Sequence, residues 1–239
     1  MLITPTPPTA PLSATLDHLV VAAASLAEGV QWCERVLGST PGPGGEHPLM
    51  GTHNRLVNVG SATFPGAYVE IIAINSRAAC VRPAGAKRWF DLDDPVLQAQ
   101  LAADGPQLVH FVARTPQAHA GCRALAALGL DRGELLPASR ITPQGLLQWK
   151  ITVREDGQRL FYGALPTLIE WGDQHPTDQM PSSGIALQAL QASHARPEAL
   201  RAAYAAIGLA QVAVLQGRPN LVATLQTPQG QVTLASKGH

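Results

Sequence analysis

Leu16-Asp17-His18-Leu19-Val20-Val21 and Leu108-Val109-His110-Phe111-Val112-Ala113 decide the fold, because each is an apolar strand with one histidine inside it and each is followed by the same succession of elements. After the first, Ser25 to Leu37 carries Leu26, Val30, Cys33, Val36 and Leu37 at helical spacing and stops at Gly38. After the second, Pro116 to Leu128 turns Cys122, Leu125 and Leu128 inward and stops at Gly129. His18 stands 20 residues before its glycine and His110 stands 19 before its own. Each unit then passes through Gly- and Pro-punctuated strand signals to one more apolar strand holding a carboxylate, Tyr68-Val69-Glu70-Ile71-Ile72 and Thr167-Leu168-Ile169-Glu170-Trp171. The His-to-Glu spacing is 52 in the first unit and 60 in the second, where the chain makes a longer excursion around Arg140 to Gly145. Strand, helix and about three strands make a βαβββ module, so the repeat predicts an α+β fold built from paired modules.

A third unit follows, with Ile185 to Ala192 as strand, Pro197 to Ile207 as helix, Gly208 as stop, and strands near Val212, Leu221 to Leu225 and Val232 to Ala235. It is degenerate: Ala189 and Thr233 fall where the other units carry His and Glu. The fold pattern therefore survives without those residues, which argues that they serve something other than folding. The expected divisions are a loose leader over 1–15, a first module over 16–105, a second over 106–180 and the third over 181–239. Modules one and two form one domain around a central cleft. An unpaired third module leaves a sheet edge that needs cover, so it either packs against the first pair or pairs with its copy in a homodimer.

The chain has 239 residues, 46% of them hydrophobic, which is enough for a sizeable core. Lys plus Arg and Asp plus Glu are 17 each, leaving no net field to hold phosphate backbones or an anionic membrane surface. Nucleic acid is excluded as a partner on that ground, and a small molecule is expected. No apolar run approaches the roughly 20 residues that span a bilayer, and Met1 to Thr15 lacks a basic start and an apolar stretch. The three cysteines are odd in number and lack CxxC spacing, which suits reduced core thiols and a cytoplasmic setting.

Glu70 and Glu170 sit among neighbours that belong in a core, where an isolated carboxylate is costly. One divalent cation held by His18, Glu70, His110 and Glu170 compensates both charges, and this mixture of oxygen and nitrogen donors suits Ni, Co, Zn, Mn or Fe(II). Octahedral geometry leaves neighbouring positions open, so a substrate could chelate through two adjacent oxygens and meet a Lewis acid. A buried hydrogen-bond network, with His18 as a satisfied core histidine and Glu70 paired to an arginine, is the competing account of the same residues.

The module order, with His on the first strand and Glu on the last, resembles the vicinal oxygen chelate superfamily of glyoxalases, bleomycin-resistance proteins and extradiol dioxygenases, over Leu16 to about Gly172. Gly44-Gly45-Glu46-His47-Pro48-Leu49-Met50-Gly51-Thr52-His53-Asn54, Tyr68-Val69-Glu70-Ile71-Ile72 and Ala164-Leu165-Pro166-Thr167-Leu168-Ile169-Glu170-Trp171-Gly172 are similar to the bacterial glyoxalase-like domain family, in which a third unit is also expected. The resemblance implies modules of the glyoxalase/bleomycin resistance type and a metal on the four residues named above. It implies a lyase or isomerase acting on a small hydroxycarbonyl compound, with Glu70 or Glu170 shuttling a proton. Two other activities occur in the superfamily: Fe(II) extradiol-type ring cleavage, which a fourth protein ligand would crowd, and sequestration of a small molecule without turnover. No glutathione-binding residues can be matched, so methylglyoxal detoxification does not follow.

Further residues are expected around the cleft. His47 and His53 lie in a Gly-rich loop where backbone approaches a ligand closely; they line the substrate mouth, replace a ligand, or are surface histidines of a structural turn. Asn54 offers an amide to the substrate or caps that turn. Arg140 has the planar fork that suits a carboxylate, with a surface ion pair as the alternative. Trp149 and Lys150 point to opposite sides of their strand, and Trp149 is expected at the cavity wall. Trp171 is expected on the face opposite Glu170, under a helix.

Overall fold

The computed structural model describes residues 11–78, 80–142 and 145–238; residues 1–10 of the Pro- and Thr-rich leader lie outside them. The first module runs β1 (Thr15–Ala22), α1 (Leu26–Trp32), β2 (Glu46–His47), β3 (Thr52–Asn58) and β4 (Tyr68–Ile74). Helix α1 starts where the Ser25 side chain accepts the Glu28 N–H, as an N-cap should. It continues as a π-helical turn over Cys33–Leu37 and ends at Gly38, whose φ of 69° only glycine adopts without cost. The segment α2 (Pro95–Asp104) then leads to the second module: β5 (Gln107–Arg114), α3 (Ala118–Ala126), β6 (Glu134–Thr142), β7 (Gly145–Val153) and β8 (Thr167–Trp171).

These strands form one eight-stranded sheet in the order β2-β3-β4-β1-β5-β8-β7-β6. The first strand of each half pairs in parallel with its last, β1 with β4 and β5 with β8, and the halves meet through the antiparallel pair β1 and β5. The third unit keeps the chain order of β9 (Ala186–His194), α4 (Pro197–Ile207), β10 (Ala213–Gln216), β11 (Asn220–Thr227) and β12 (Gly230–Ala235). Its strand order differs: β10-β9-β11-β12, with its first strand inside the sheet rather than at one side.

Strand alternation divides the interior into two layers. Leu19, Val21, Ile71, Phe111 and Leu168 face the helices and share one core with Leu37, Leu125 and the third unit's Leu187, Leu200, Tyr204 and Ile207. The third unit is tied to this outer face by Tyr204 Oη donating to the Ala164 carbonyl (2.6 Å) and by Ser61 Oγ donating to the Leu187 carbonyl (2.7 Å). The third unit thus packs against the first pair within the same chain.

The inner face of the curled sheet carries Val20, Ala22, Ile72, Val109, Val112 and Ile169, and these pack against Phe90, Leu92, Leu97 and Leu101 from the segment between modules. That segment is absent from the sequence reading although its start is well marked: the Asp94 side chain caps the Val96 N–H and Pro95 opens α2. It enters through a turn at Trp89–Asp91 in which Phe90 and Asp91 have φ of 60° and 56°. Arg159 Nε holds Asp91 at 2.9 Å, and the Asp91 N–H reaches the Gly157 carbonyl at 3.0 Å. The turn and α2 thus plug one end of the inner face and leave a cleft at the other. Among the described residues no helix is long and apolar enough to cross a membrane, and Cys33, Cys80 and Cys122 are free thiols.

Candidate functional site

In β1 the pairing with β5 shifts between Leu16 and His18, so Asp17 is an extra, bulged residue. The bulge buries Asp17 completely beside His18. One carboxylate oxygen of Asp17 takes the His18 Nδ1 contact at 2.6 Å, and the other accepts from Trp171 Nε1 at 2.9 Å and from His175 Nε2 at 3.0 Å. Burial alone would raise the Asp17 pKa, yet the hydrogen bonds from His175 and His18 outweigh it and hold the acid well below the usual carboxylate range.

His18 stacks on Tyr68, with centroids 4.5 Å apart, and turns Nε2 toward Glu70 Oε2 at 3.5 Å. Burial disfavours its imidazolium, but the hydrogen bonds to Asp17 and Glu70 prevail and raise its pKa to about 9. Glu70 Oε1 accepts from Asn54 Nδ2 at 2.6 Å. The orientation of that amide is set by the Gly45 N–H, which donates to Asn54 Oδ1 at 2.7 Å. Burial raises the Glu70 pKa, whereas His18 and Asn54 more than reverse this, so the group is a buried, ionised carboxylate.

His47 completes the cluster, with Nε2 4.0 Å from Glu70 Oε1 and 3.4 Å from the Asn54 amide, and Nδ1 3.0 Å from Thr52 Oγ1. Burial brings its pKa down to about 4, so near neutral pH its Nε2 is an acceptor for the Asn54 amide. Trp89 meets His47 edge-on at 5.0 Å. The pocket around these groups has a volume of about 30 Å³, walled by Trp89, Phe90, Trp149 and Trp171. It leads past Arg140 into a chamber of about 530 Å³ between the Gly42–Glu46 loop, the β6–β7 hairpin and the 174–183 segment.

The four residues expected to share a metal are not brought together. His18 and Glu70 are in the pocket, while His110 is fully buried elsewhere. A register shift in β5 turns the His110 ring so that Nδ1 meets the Gly163 carbonyl at 2.8 Å and Nε2 meets Thr167 Oγ1 at 3.0 Å and the Thr167 N–H at 3.1 Å. Phe90 lies against it at 5.2 Å, on the plug that the sequence reading lacked.

Glu170 faces the helices instead of the cleft. It accepts the Ala118 N–H at 3.0 Å, capping α3 from a neighbouring strand, and pairs with Lys150 at 3.0 Å. Its neighbour Trp171 therefore lines the cleft and bonds Asp17, which corrects its expected place under a helix. The reason is register: Ile169 and Trp171 occupy the inward positions of β8, and in a strand a shift of one residue exchanges the faces.

His53 is placed outside the cleft by the same alternation, since Thr52 and Asn54 of β3 point inward. Trp149 lines the cleft and Lys150 points away from it, to Glu170. Asp17, Tyr68, His175, Trp89 and Phe90 are additions. Only Asp17, an acid in an otherwise apolar strand, carried a signal in the sequence.

A shared ion must be tested against this donor set. His110 already spends both ring nitrogens on hydrogen bonds, Glu170 lies on the other face, and the Asn54 amide projects between Glu70 and His47. Among the described residues no group of three or more His, Cys, Asp or Glu side chains is arranged to hold a metal. The residues present do not fit the four-ligand ion.

The sequence matches the family model described as a glyoxalase-like domain over residues 16–208. No functionally curated protein matches it. A hypothetical protein from Staphylococcus aureus has a similar structure, with a TM-score of 0.56 at 10% identity, covering 93% of this chain and 85% of that one. Methylmalonyl-CoA epimerase from Mycobacterium tuberculosis is similar at a TM-score of 0.38 and 17% identity, covering 68% of this chain and 90% of its own. A hypothetical protein from Bacillus halodurans is similar at 0.38 and 11%, covering 68% and 96%.

Proposed function

The chain belongs to the glyoxalase-like domain family, and we propose that it catalyses proton transfer on a small hydroxycarbonyl compound, as a lyase or isomerase, with Glu70 as the base. One observation carries this reading: a buried carboxylate, ionised and held at one oxygen by Asn54, stands at the blind end of the cleft beside a histidine that Asp17 keeps protonated. The carboxylate is ionised and fixed in place by Asn54 and His18, so it acts as a base through its position against the reacting carbon rather than through a raised pKa.

In the proposed step Glu70 removes the proton from the carbon bearing the hydroxyl. The C–H electron pair moves into the new C=C bond and the carbonyl π pair onto oxygen, giving an enediolate. The proton on Glu70 exchanges with solvent through the chamber, and Glu70 then protonates the adjacent carbon while the hydroxyl proton passes to the former carbonyl oxygen, so atoms and charge balance. His18, with its Nε2 3.5 Å from Glu70, supplies positive charge next to the developing oxyanion. Trp89, Phe90, Trp149 and Trp171 exclude water from the intermediate. No step of this scheme uses a metal.

The test is solvent exchange. Hydroxyketones and 2-hydroxyaldehydes incubated in D2O with the protein should incorporate deuterium at the hydroxyl-bearing carbon, followed by proton NMR, and Glu70→Gln should lower the rate at least 100-fold, within the usual range for a positioned base. Incorporation at an unchanged rate in Glu70→Gln would remove the base. Saturable binding with no incorporation for any compound points to the superfamily's other use of such a cleft, sequestration without turnover, for which the 530 Å³ chamber has the capacity.

A further inference from the structure

The cleft consists of two compartments of very different size. The inner pocket, at about 30 Å³, admits only one or two water-sized groups. The outer chamber, at about 530 Å³, is large enough for the body of a metabolite. A substrate that reaches Glu70 therefore does so with its reacting end alone, and most of it lies in the chamber. Arg140, Leu56, Leu147 and Pro176 line both compartments and so form the neck between them.

Arg140 is the only Lys or Arg among the described residues that line either compartment. Its buried Nε has no partner, and no acid lies within ion-pair distance of its guanidinium among the described residues. The Gly42–Glu46 loop makes room for it: a Cβ on Gly45 would come within 2.2 Å of Arg140 Nη1. A second donor of the same wall is also unused, since the buried indole Nε1 of Trp89 has no partner. Buried donors without acceptors are costly, and an acceptor-rich ligand removes that cost.

The two acids of the chamber do not supply it. Glu46 Oε1 accepts from the Asn75 amide at 3.3 Å, and Asp178 Oδ2 accepts the His175 N–H at 2.8 Å. His175 is itself engaged by Asp17. The one guanidinium can pair a single carboxylate directly, whereas the second charge of a phosphate would face Glu46 and Asp178 in the same wall, which favours a carboxylate over a phosphate.

We propose that Arg140 anchors a carboxylate of the substrate at the neck of the cleft, so that the compound acted on is a carboxylate-bearing hydroxycarbonyl whose reacting end alone enters the pocket of Glu70. This deepens the proton-transfer reading and rests on it for the identity of the reacting end, while the anchor itself is a matter of binding.

Three probes separate the possibilities: 2-hydroxyoctanoate, its uncharged analogue 2-hydroxyoctanamide, and octyl phosphate, titrated against the fluorescence of Trp89, Trp149 and Trp171. The wild type should bind 2-hydroxyoctanoate at least tenfold more tightly than either of the others, the discrimination expected of a charge-assisted fork. Arg140→Gln should weaken the carboxylate by at least tenfold and leave the amide unchanged. Arg140→Lys should restore the preference only in part, because an ammonium cannot present two parallel N–H groups. Gly45→Ala provides a variant that keeps the arginine but displaces it, and should show the same selective loss. Glu70→Gln should still bind the carboxylate.

Equal affinity for acid and amide, tighter binding of the phosphate, no saturable binding of the carboxylate at millimolar concentration, or an unaffected Arg140→Gln each overturns the anchor. Deuterium exchange on carboxylate-bearing hydroxyketones that ignores Arg140 overturns the anchor and leaves Glu70 as base. Arg140-dependent binding without any exchange leaves the anchor standing and removes the proton-transfer reading.

Discussion

Replacing Asp17 by Asn should flatten the dependence of stability on pH between about 6.5 and 9. In the folded protein His18 titrates at about 9 against an ordinary value of 6.5. The folded state then holds a proton that the unfolded chain has released throughout that window, so the contribution is complete below 6.5 and disappears as pH rises through 9. At roughly 1.4 kcal/mol for each pH unit, His18 alone contributes about 3 kcal/mol, a large share of the 5–15 kcal/mol typical of a domain. His47 and His110 work in the opposite sense: burial lowers both, so the unfolded chain binds their protons first and stability climbs as pH rises toward 6.5. The buried thiol of Cys33 and the half-buried thiol of Cys122, both raised by desolvation, add their slope only above the window. Urea denaturation at closely spaced pH values should therefore show a maximum near 6.5 and a fall of about 3 kcal/mol by pH 9. In Asp17→Asn the fall should shrink to under about 1 kcal/mol, because the carboxylate that holds the His18 proton is gone, while total stability drops by about 3–5 kcal/mol. Trp171→Phe removes another of the Asp17 hydrogen bonds without touching His18 and should keep the slope. A wild-type curve that is level from pH 6.5 to 9, or an Asp17→Asn curve as steep as the wild type, refutes the linkage.

Glu70→Gln and Glu170→Gln should behave differently despite their parallel positions in the chain. The first should abolish exchange, and the second should leave it intact at a stability cost under about 1 kcal/mol, measured by thermal melts, because an amide can still accept the Ala118 N–H. Metal analysis by inductively coupled plasma mass spectrometry should find well under one Ni, Co, Zn, Mn or Fe per chain, unchanged in His110→Ala; one ion per chain that is lost in a Glu70→Gln, His110→Ala double variant refutes the donor geometry described above. Gly44→Ala would place a methyl 2.1 Å from the Asn54 carbonyl and 2.3 Å from its Oδ1, so it should displace the amide that holds Glu70 and lower exchange at least tenfold, with a loss of about 1–3 kcal/mol in chemical denaturation.

The two histidine strands and the helices that follow them were legible because both signals are local. Apolar periodicity and a terminal glycine place α1 before Gly38 and α4 before Gly208 with no knowledge of the rest of the chain. The strand order of the third unit was not legible, since β10-β9-β11-β12 and the order of the first two units give the same succession of elements along the chain. The plug over Phe90 to Leu101 carried an Asp-Pro helix start, but its importance is nonlocal: it matters because it fills the inner face against Val20, Ile72 and Val112. Of the site, His18, His47, Asn54, Glu70, Arg140 and Trp149 are gathered around the cleft, and Asp17 was visible as an acid in an apolar strand without any sign that it would be bulged inward.

The failed half of the expected ligand set shows why matching repeats by residue type is weaker evidence than matching them by register. Val69-Glu70-Ile71 and Ile169-Glu170-Trp171 look equivalent as strings, yet in β4 the carboxylate occupies an inward position and in β8 the inward positions belong to Ile169 and Trp171. A two-residue period makes an offset of one a change of face, and apolar residues on both sides of a doubly covered strand conceal it. The consequence is an asymmetric site. The first module supplies the ionisable groups Asp17, His18, His47 and Glu70, and the second supplies Arg140 and the aromatic wall of Trp149 and Trp171. In such a division the wall can change with the substrate while the base and its supports stay in place. Exchanging the β6–β7 hairpin for that of another member of the family should therefore alter which acids bind, measured by the same fluorescence titration, and leave the Asp17-dependent pH slope unchanged. A lost slope in a folded chimera would show that the second module also sets the charge on His18.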